Sequence, residues 1–485
     1  MKLKHLSLSV MLIGATSTVF ASGYHFGTQS VSSQSTANAS AAEASDASTI
    51  FYNAAGMTKL EGTNFSGALN VVAPSVKYSN AKGTYPSGVA IKGSTDGKLT
   101  DDVVPVAHLY LTQQLNDKVT AGLGIYVPFA SKTEYQRDSV LRYNLNETEL
   151  KTIDINPTIA FKLNDQHSVA VGVVAQYAEA KLRQYANFGA RVPALAGALG
   201  LTLPPLPPGM TTDGTADGYA TVKGDDWGFG FNLAWLWDIN DNARVGVNYR
   251  SAVKHTLEGN AQWTLPSNVV IGGKPVLTPT QAAQAQATLR KLGYAADESA
   301  KVDIKTPESL SLHGMYKFDP KWTGFADLTW TRHSQFDRAE IVYGNAKPGP
   351  GGLTPNTNKT ILTPSWRNTY KVSLGGAYDY SEPLQLRAGI AYDKTPVPSE
   401  DKRLATMPDN DRIWFSFGGN YKLNKASSID AAYSFIKIRD GSAKVNGYCG
   451  GSVPGQVNCV SSYTKGSADY KAYANILGVQ YNYRF

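Results

Sequence analysis

Tyr473-Ala474-Asn475-Ile476-Leu477-Gly478-Val479-Gln480-Tyr481-Asn482-Tyr483-Arg484-Phe485 closes the sequence on a strict alternation. Successive side chains of a strand point to opposite faces. Tyr473, Asn475, Leu477, Val479, Tyr481, Tyr483 and Phe485 therefore share one face, with Ala474, Ile476, Gly478, Gln480, Asn482 and Arg484 on the other. An aromatic, apolar face backed by a smaller, more polar one is what a strand between lipid and an aqueous lumen requires. The stretch predicts an outer-membrane β-barrel.

Working back from that strand, six short polar turns recur: Asn116-Asp117-Lys118, Asn164-Asp165-Gln166, Asn240-Asp241-Asn242, Asp319-Pro320-Lys321, Ser381-Glu382-Pro383 and Asn424-Lys425-Ala426. Each has tight-turn composition between apolar residues. They divide the chain after about residue 63 into seven units, each long enough for two strands and one longer loop, which predicts a 14-stranded antiparallel barrel. The strands after the first three turns alternate as Val119, Ala121, Leu123, Ile125, Val127; Val169, Val171, Val173, Ala175, Tyr177; and Ala243, Val245, Val247, Tyr249. Their other faces carry Gly122, Gly124, Gln176, Arg244, Asn248 and Arg250. Charge is thus kept off the lipid side, where Arg or Lys costs about 2–4 kcal/mol at the midplane. Tyr249, Tyr370, Tyr378, Tyr392, Tyr433 and Trp414 are expected to supply interfacial girdles.

At the other end, Lys2 and Lys4 precede an apolar run from Leu6 to Phe20 that closes on Val19-Phe20-Ala21. This reads as a signal peptide, residues 1–21, cut after Ala21. The run is too short to cross a bilayer as a helix, and no other stretch reaches the roughly 18 apolar residues a membrane helix needs. Export to the outer membrane of a Gram-negative bacterium is the expectation. The composition agrees: 485 residues with 45 Gly, 27 Tyr and only 18% charged residues. The net charge of +7 is spread without a basic cluster, so nucleic acid is not an expected partner. Outer-membrane lipid and acidic lipopolysaccharide are the expected surroundings of a monomeric chain. Cys449 and Cys459, in an exported chain, are expected to form a local disulfide. Their spacing, with no nearby His, is poor metal chemistry, and no cofactor is expected.

Residues 22–62 are rich in Ser and Ala and lack sustained alternation. They are expected to fold into the periplasmic mouth as a plug, leaving residues 63–485 for the barrel; a disordered leader is the alternative. Outside the membrane, the loop from Val192 to Leu206, with Leu195, Leu199 and Leu203, is unusually apolar. It either buries itself against another loop or lines a greasy capture site. Pro279 to Leu292, stopped by Gly293, predicts a short helix for it to pack on. Pro128 follows the regular strand Val119 to Val127, and a proline cannot donate to the ladder. Either the wall is interrupted there, leaving a side opening, or the strand simply ends.

With these features, several strings resemble the FadL family of outer-membrane long-chain fatty acid transporters, which includes outer membrane protein P1 and aromatic-hydrocarbon channels. They are Asn53-Ala54-Ala55-Gly56-Met57, Trp227-Gly228-Phe229-Gly230-Phe231-Asn232, Tyr249-Arg250-Ser251, Ser334-Gln335-Phe336, and Tyr392-Asp393-Lys394-Thr395-Pro396-Val397-Pro398 followed by Met407-Pro408-Asp409-Asn410-Asp411-Arg412-Ile413-Trp414. The resemblance implies a 14-stranded barrel with an N-terminal hatch, an apolar extracellular groove, an inner pocket, and a kinked third strand at Val127-Pro128-Phe129-Ala130. Through that kink, substrate would leave sideways into the bilayer. Ala54 stands where the family usually has proline, which removes a stiffening element. Family cations map to Gln184, with Arg183 beside it and Lys181 nearby, and to Arg367 after Trp366. Arg367 is the implied partner of a fatty carboxylate. For Arg367, Arg183 and Lys181 alike, structural ion pairing is the alternative.

No G-x-S-x-G elbow, H-E-x-x-H, Walker A loop or paired C-x-x-C occurs, and the histidines His25, His108, His167, His255, His313 and His333 are scattered. The expectation is a transporter and not an enzyme. The rivals are a general diffusion porin for small polar solutes and an uptake channel for aromatic hydrocarbons.

Overall fold

The computed structural model describes residues 25–198, 200, 214, 216–271, 274–349, 352–447 and 459–485. The expected cleavage after Ala21, Leu199, Leu203 and Cys449 lie outside the described residues.

Fourteen staves close into an antiparallel barrel. They are β1 (Thr63–Thr84), β2 (Val104–Asn116), β3 (Val119–Tyr126, resumed at Ala130–Glu134), β4 (Glu147–Lys162), β5 (His167–Asn187) and β6 (Asp217–Asp238). Next come β7 (Ala243–Arg250, resumed at Val253–Thr264), β8 (Glu298–Thr306, resumed at Ser309–Lys317), β9 (Trp322–Thr331, resumed at Ala339–Pro348) and β10 (Pro355–Leu362, resumed at Thr369–Asp379). The last are β11 (Leu384–Asp393), β12 (Arg412–Lys422), β13 (Ser427–Asn446) and β14 (Lys465–Arg484). Closure is direct: β14 pairs with β1 from Arg484 opposite Asn64 to Lys465 opposite Thr84. All six polar turns join neighbouring staves at the same end, so the longer connections gather at the other, extracellular end.

The alternation read from the sequence is the burial pattern. In β14, Leu477 and Val479 are more than half exposed on the lipid face, while Ile476 and Gln480 on the lumen face are fully buried. Tyr370 and Tyr392, Trp322 and Tyr378, and Phe417 and Tyr433 form aromatic pairs across neighbouring strands. Trp414 corrects the girdle expectation: it is 1% exposed and faces inward, because Ile413 takes the outward position of β12.

The segment from His25 to Gly62 fills the lumen. It contains α1 (Val31–Gln34), α2 (Thr49–Tyr52) and a 3-10 turn, Ala54–Lys59. It is pinned all round the wall. Val31 N donates to Gln480 Oε1 at 2.9 Å, Gln34 Nε2 to the Ile476 carbonyl at 3.0 Å, and Asn53 Nδ2 to the Trp235 carbonyl at 2.9 Å. Glu43 pairs with Arg387 at 2.9 Å, and Lys59 pairs with Asp238. Small wall residues let it approach: a Cβ on Gly389 would lie 2.2 Å from the Thr36 backbone, and one on Gly122 would lie 2.5 Å from Met57 Sδ. Within the Asn53-Ala54-Ala55-Gly56-Met57 string, Asn53 Oδ1 accepts from Ala55 N and starts the 3-10 turn without help from a proline.

Proline in the wall does not by itself break it. At Pro157 of β4, the pairing to β5 skips from Ile155 opposite Ala175 to Thr158 opposite Gly172, and Asn156 Nδ2 donates to the Val173 carbonyl at 2.8 Å in place of the missing ladder bond. Pro128 has no such substitute within its own stave.

Candidate functional site

β3 stops at Tyr126 and resumes at Ala130, with Val127, Pro128 and Phe129 between. On the β2 side, ladder pairing ends at Leu109 opposite Ile125, so Val104 to His108 of β2 pair only with β1. The wall therefore has an unpaired seam between the outer halves of β2 and β3. The plug covers it. Phe26 N donates to the Pro128 carbonyl at 2.7 Å, Gln29 Nε2 donates to the Val127 carbonyl at 2.8 Å, and His25 bridges Phe129. Phe26 is fully buried and stacks on His108 at 5.7 Å. Backbone groups that a continuous strand would have satisfied are satisfied by a segment held in part by side chains.

Behind the seam lies a cavity of about 110 Å³ whose lining includes Phe51 and Tyr52 of the plug, Pro128 and Phe129 of the seam, and the cations Arg250 and Lys371. The two cations differ. Arg250 lies 3.5 Å from Asp154, donates to the Tyr126 hydroxyl, and sits 4.5 Å over the Phe51 ring. Lys371 lies 4.2 Å over the Trp414 ring, and among the described residues no ion pair or hydrogen bond holds its ammonium. A carboxylate entering the cavity would meet a partly buried cation still open to a partner. Asp327 and Asp393 share the lining, and Asp393 pairs with Arg412 at 3.3 Å rather than with Lys371.

A second site lies outside the membrane. α3 (Val192–Ala198) packs against α4 (Pro279–Lys291) over a small cavity of about 40 Å³ lined by Val192, Leu195, Val269, Leu277 and Leu289. α4 starts on a reciprocal cap: Gln281 N donates to Thr278 Oγ1, and Thr278 N donates to Gln281 Oε1, with Pro279 in the first turn. The groove floor is aromatic, with Tyr294 edge-on to Phe188 and Trp263, both at 4.9 Å. Burial pushes the Tyr294 phenol above its ordinary pKa, against the opposing pull of Arg191.

The remaining predicted residues are dispersed. Arg367 is exposed, with its backbone N on the Pro396 carbonyl and Nε 3.4 Å from the Thr395 carbonyl, and it does not line the central cavity. Lys181 is bound to Glu147 at 2.5 Å; Arg183 is bound to Glu147 at 3.0 Å and to Glu134 at 2.6 Å. Gln184 donates to the Tyr143 carbonyl beside a separate outer cavity of about 110 Å³. Leu195 is buried in the α3–α4 groove, and Cys459 is buried and disulfide-bonded. Lys371 was missed by motif reading, although plain alternation marks it: Tyr370, Val372 and Leu374 face lipid, so Lys371 must face the lumen.

A closed, plugged barrel with a seam in its wall, an apolar groove outside the membrane and a cavity of mixed polarity behind the seam defines an outer-membrane channel for cargo that does not travel through water. The chain belongs to the family described as outer membrane protein transport protein (OMPP1/FadL/TodX), whose profile matches residues 12–485. It is 49% identical over 488 residues, 99% of each chain, to the outer membrane protein NMB0088 of Neisseria meningitidis serogroup B. It is 28% identical over 419 residues to the long-chain fatty acid transport protein of Escherichia coli K12, covering 82% of this chain and 84% of that one. A FadL homologue of Pseudomonas aeruginosa superposes with a TM-score of 0.79 at 20% identity, over 96% of this chain and 100% of the other. At that identity the likeness shows the fold. The protein resides in the outer membrane of a Gram-negative bacterium.

Proposed function

We propose that this protein carries long-chain fatty acids or similar hydrophobic molecules across the outer membrane as a single chain. Cargo is captured in the α3–α4 groove, passes to the cavity at Lys371, and leaves sideways through the β2–β3 seam. The observation that carries this reading is the patch: His25 to Gln29 closes the seam and borders the cavity at once. Cargo filling the cavity displaces the segment that seals the exit. A lateral exit spares an acyl chain the passage through a wet pore, and the lumen-filling plug argues against free diffusion of polar solutes.

In this reading the head-group role falls to Lys371, since Arg367 stands outside the cavity. The test is oleate binding to the purified protein. Lys371→Ala weakens it by about tenfold or more, the worth of one charge-assisted hydrogen bond, while Lys371→Arg retains it. Equal affinity in wild type and Lys371→Ala removes the assignment. A second reading has its own support: a void of about 110 Å³ suits a small aromatic hydrocarbon without any movement of the plug. A preference for toluene over oleate that is unaffected by Lys371→Ala would favour it.

A further inference from the structure

The outward faces of β14, β1 and β13 carry cations in register just beyond the last aromatic position. Lys77 of β1 stands directly opposite Lys471 of β14 on one side and Lys98 of the short strand Gly97–Thr100 on the other. On β13, Lys437 stands opposite Tyr473, and Arg439 follows one outward-facing position on. All five are exposed. Like charges directly opposite on neighbouring strands repel, so this row costs stability unless an anion sits on it. The local carboxylates neutralise it only in part. Asp101 pairs with Lys98 at 2.6 Å; Asp440 lies 3.6 Å from Lys437 and 4.0 Å from Lys471; Asp469 is taken by Ser442 and Asn80. Lys77 and Arg439 have no ion-pair partner among the described residues.

The height of the row sets the partner. Lys471 lies two residues past Tyr473, about 6.6 Å along the strand, which places the cations at the head-group level above the aromatic girdle. Farther out on the same staves, Lys82 and Lys444 flank Ser467 as a second cationic tier on the same face, with Lys444 also paired to Glu400. On the opposite wall Lys254 also faces Lys305, but the next outward pairs bring in acids, with Asp303 bonded to Thr256 and Glu258 facing Lys301. A two-tiered surface richer in cations than in carboxylates, with Lys77 and Arg439 free of ion pairs among the described residues, fits a ligand whose anionic groups are fixed at head-group height and continue outward.

We infer that the β13–β14–β1 face binds a phosphorylated glycolipid of the outer leaflet, its phosphates on the Lys77, Lys471 and Arg439 row and its outer acidic sugars toward Lys82 and Lys444. The site is independent of the cargo route.

The test uses the full mature protein in detergent, titrated with bis-phosphorylated lipid A and read by native mass spectrometry. The probes for comparison are dephosphorylated lipid A and inorganic phosphate. Wild type retains the phosphorylated lipid, and Lys77→Ala/Lys471→Ala weakens retention about 30-fold, as expected for two interfacial cations. The same change at the periplasmic rim, Lys321→Ala/Lys422→Ala, leaves retention intact. Equal retention by the Lys77/Lys471 variant, or of the dephosphorylated lipid, overturns the inference. Complete displacement by inorganic phosphate also overturns it, since the site would then not be one for a glycolipid. Should the double alanine variant fail to fold, Lys77→Gln/Arg439→Gln decides by the same readout, and oleate binding stays at the wild-type level throughout.

Discussion

Lys371 and Asn53 show how far one position can be read. Lys371 sits among apolar neighbours that alternate outward, so its lumen orientation was already implicit in Tyr370-Lys371-Val372-Ser373-Leu374. What alternation could not supply is the company it keeps: Trp414 reaches it from β12, and among the described residues no carboxylate closes on it. Arg367, chosen by motif position, lies in the break between the two parts of β10, where strand parity no longer dictates direction. Arg367→Ala is accordingly expected to bind oleate as wild type does, in the same titration that tests Lys371. Asn53 has a structural role that its string did not disclose, since its amide caps the 3-10 turn and reaches Trp235 and His313. Asn53→Ala leaves the buried Trp235 carbonyl without that donor and is expected to cost about 1–3 kcal/mol of plug docking, measured by hydrogen exchange over residues 49–59.

The plug and the seam form one element in practice, each completing the other. Phe26 packs on His108 across the seam, which gives a direct test in a Cys449→Ser/Cys459→Ser background. A Phe26→Cys/His108→Cys pair, once oxidised, should abolish fatty acid uptake, and reductant should restore it. Uptake unchanged by the crosslink would show that the seam is not the exit. The Glu43–Arg387 pair is the plug's latch at another part of the wall, and both partners are largely buried. Arg387→Ala leaves Glu43 without its partner, a loss of about 3–5 kcal/mol that should fall on the plug and not on the barrel. Planar-bilayer conductance should rise while the heat-induced unfolding of the barrel is unchanged. In the extracellular groove, Thr278→Ala removes half of the reciprocal cap of α4 and should cost about 1 kcal/mol of local helix stability, seen as faster hydrogen exchange in Pro279–Lys291.

For the whole molecule, strand pairing runs from β1 round to β14 through the periplasmic half and leaves only outer stretches such as the β2–β3 seam unpaired, so the barrel does not depend on its plug for closure. Deleting residues 25–60 should therefore yield a folded barrel with a large, ohmic conductance. A variant that cannot insert into bilayers at all would contradict that independence. The barrel was legible before any coordinates, from Tyr473 to Phe485 and from six turns, because lipid on one side and water on the other impose a period of two on every stave and tight turns impose their own composition. The plug was legible only as the absence of that period. The break at Pro128 was legible as one of two readings, but the cavity, its cation and the plug's cover over the seam were not, because each is made by residues far apart in the chain: Lys371 meets Trp414, Phe26 meets His108, and the Pro128 carbonyl accepts from the plug. Periodicity is local and is written residue by residue, whereas contacts across a lumen depend on how fourteen staves close and on what packs inside them.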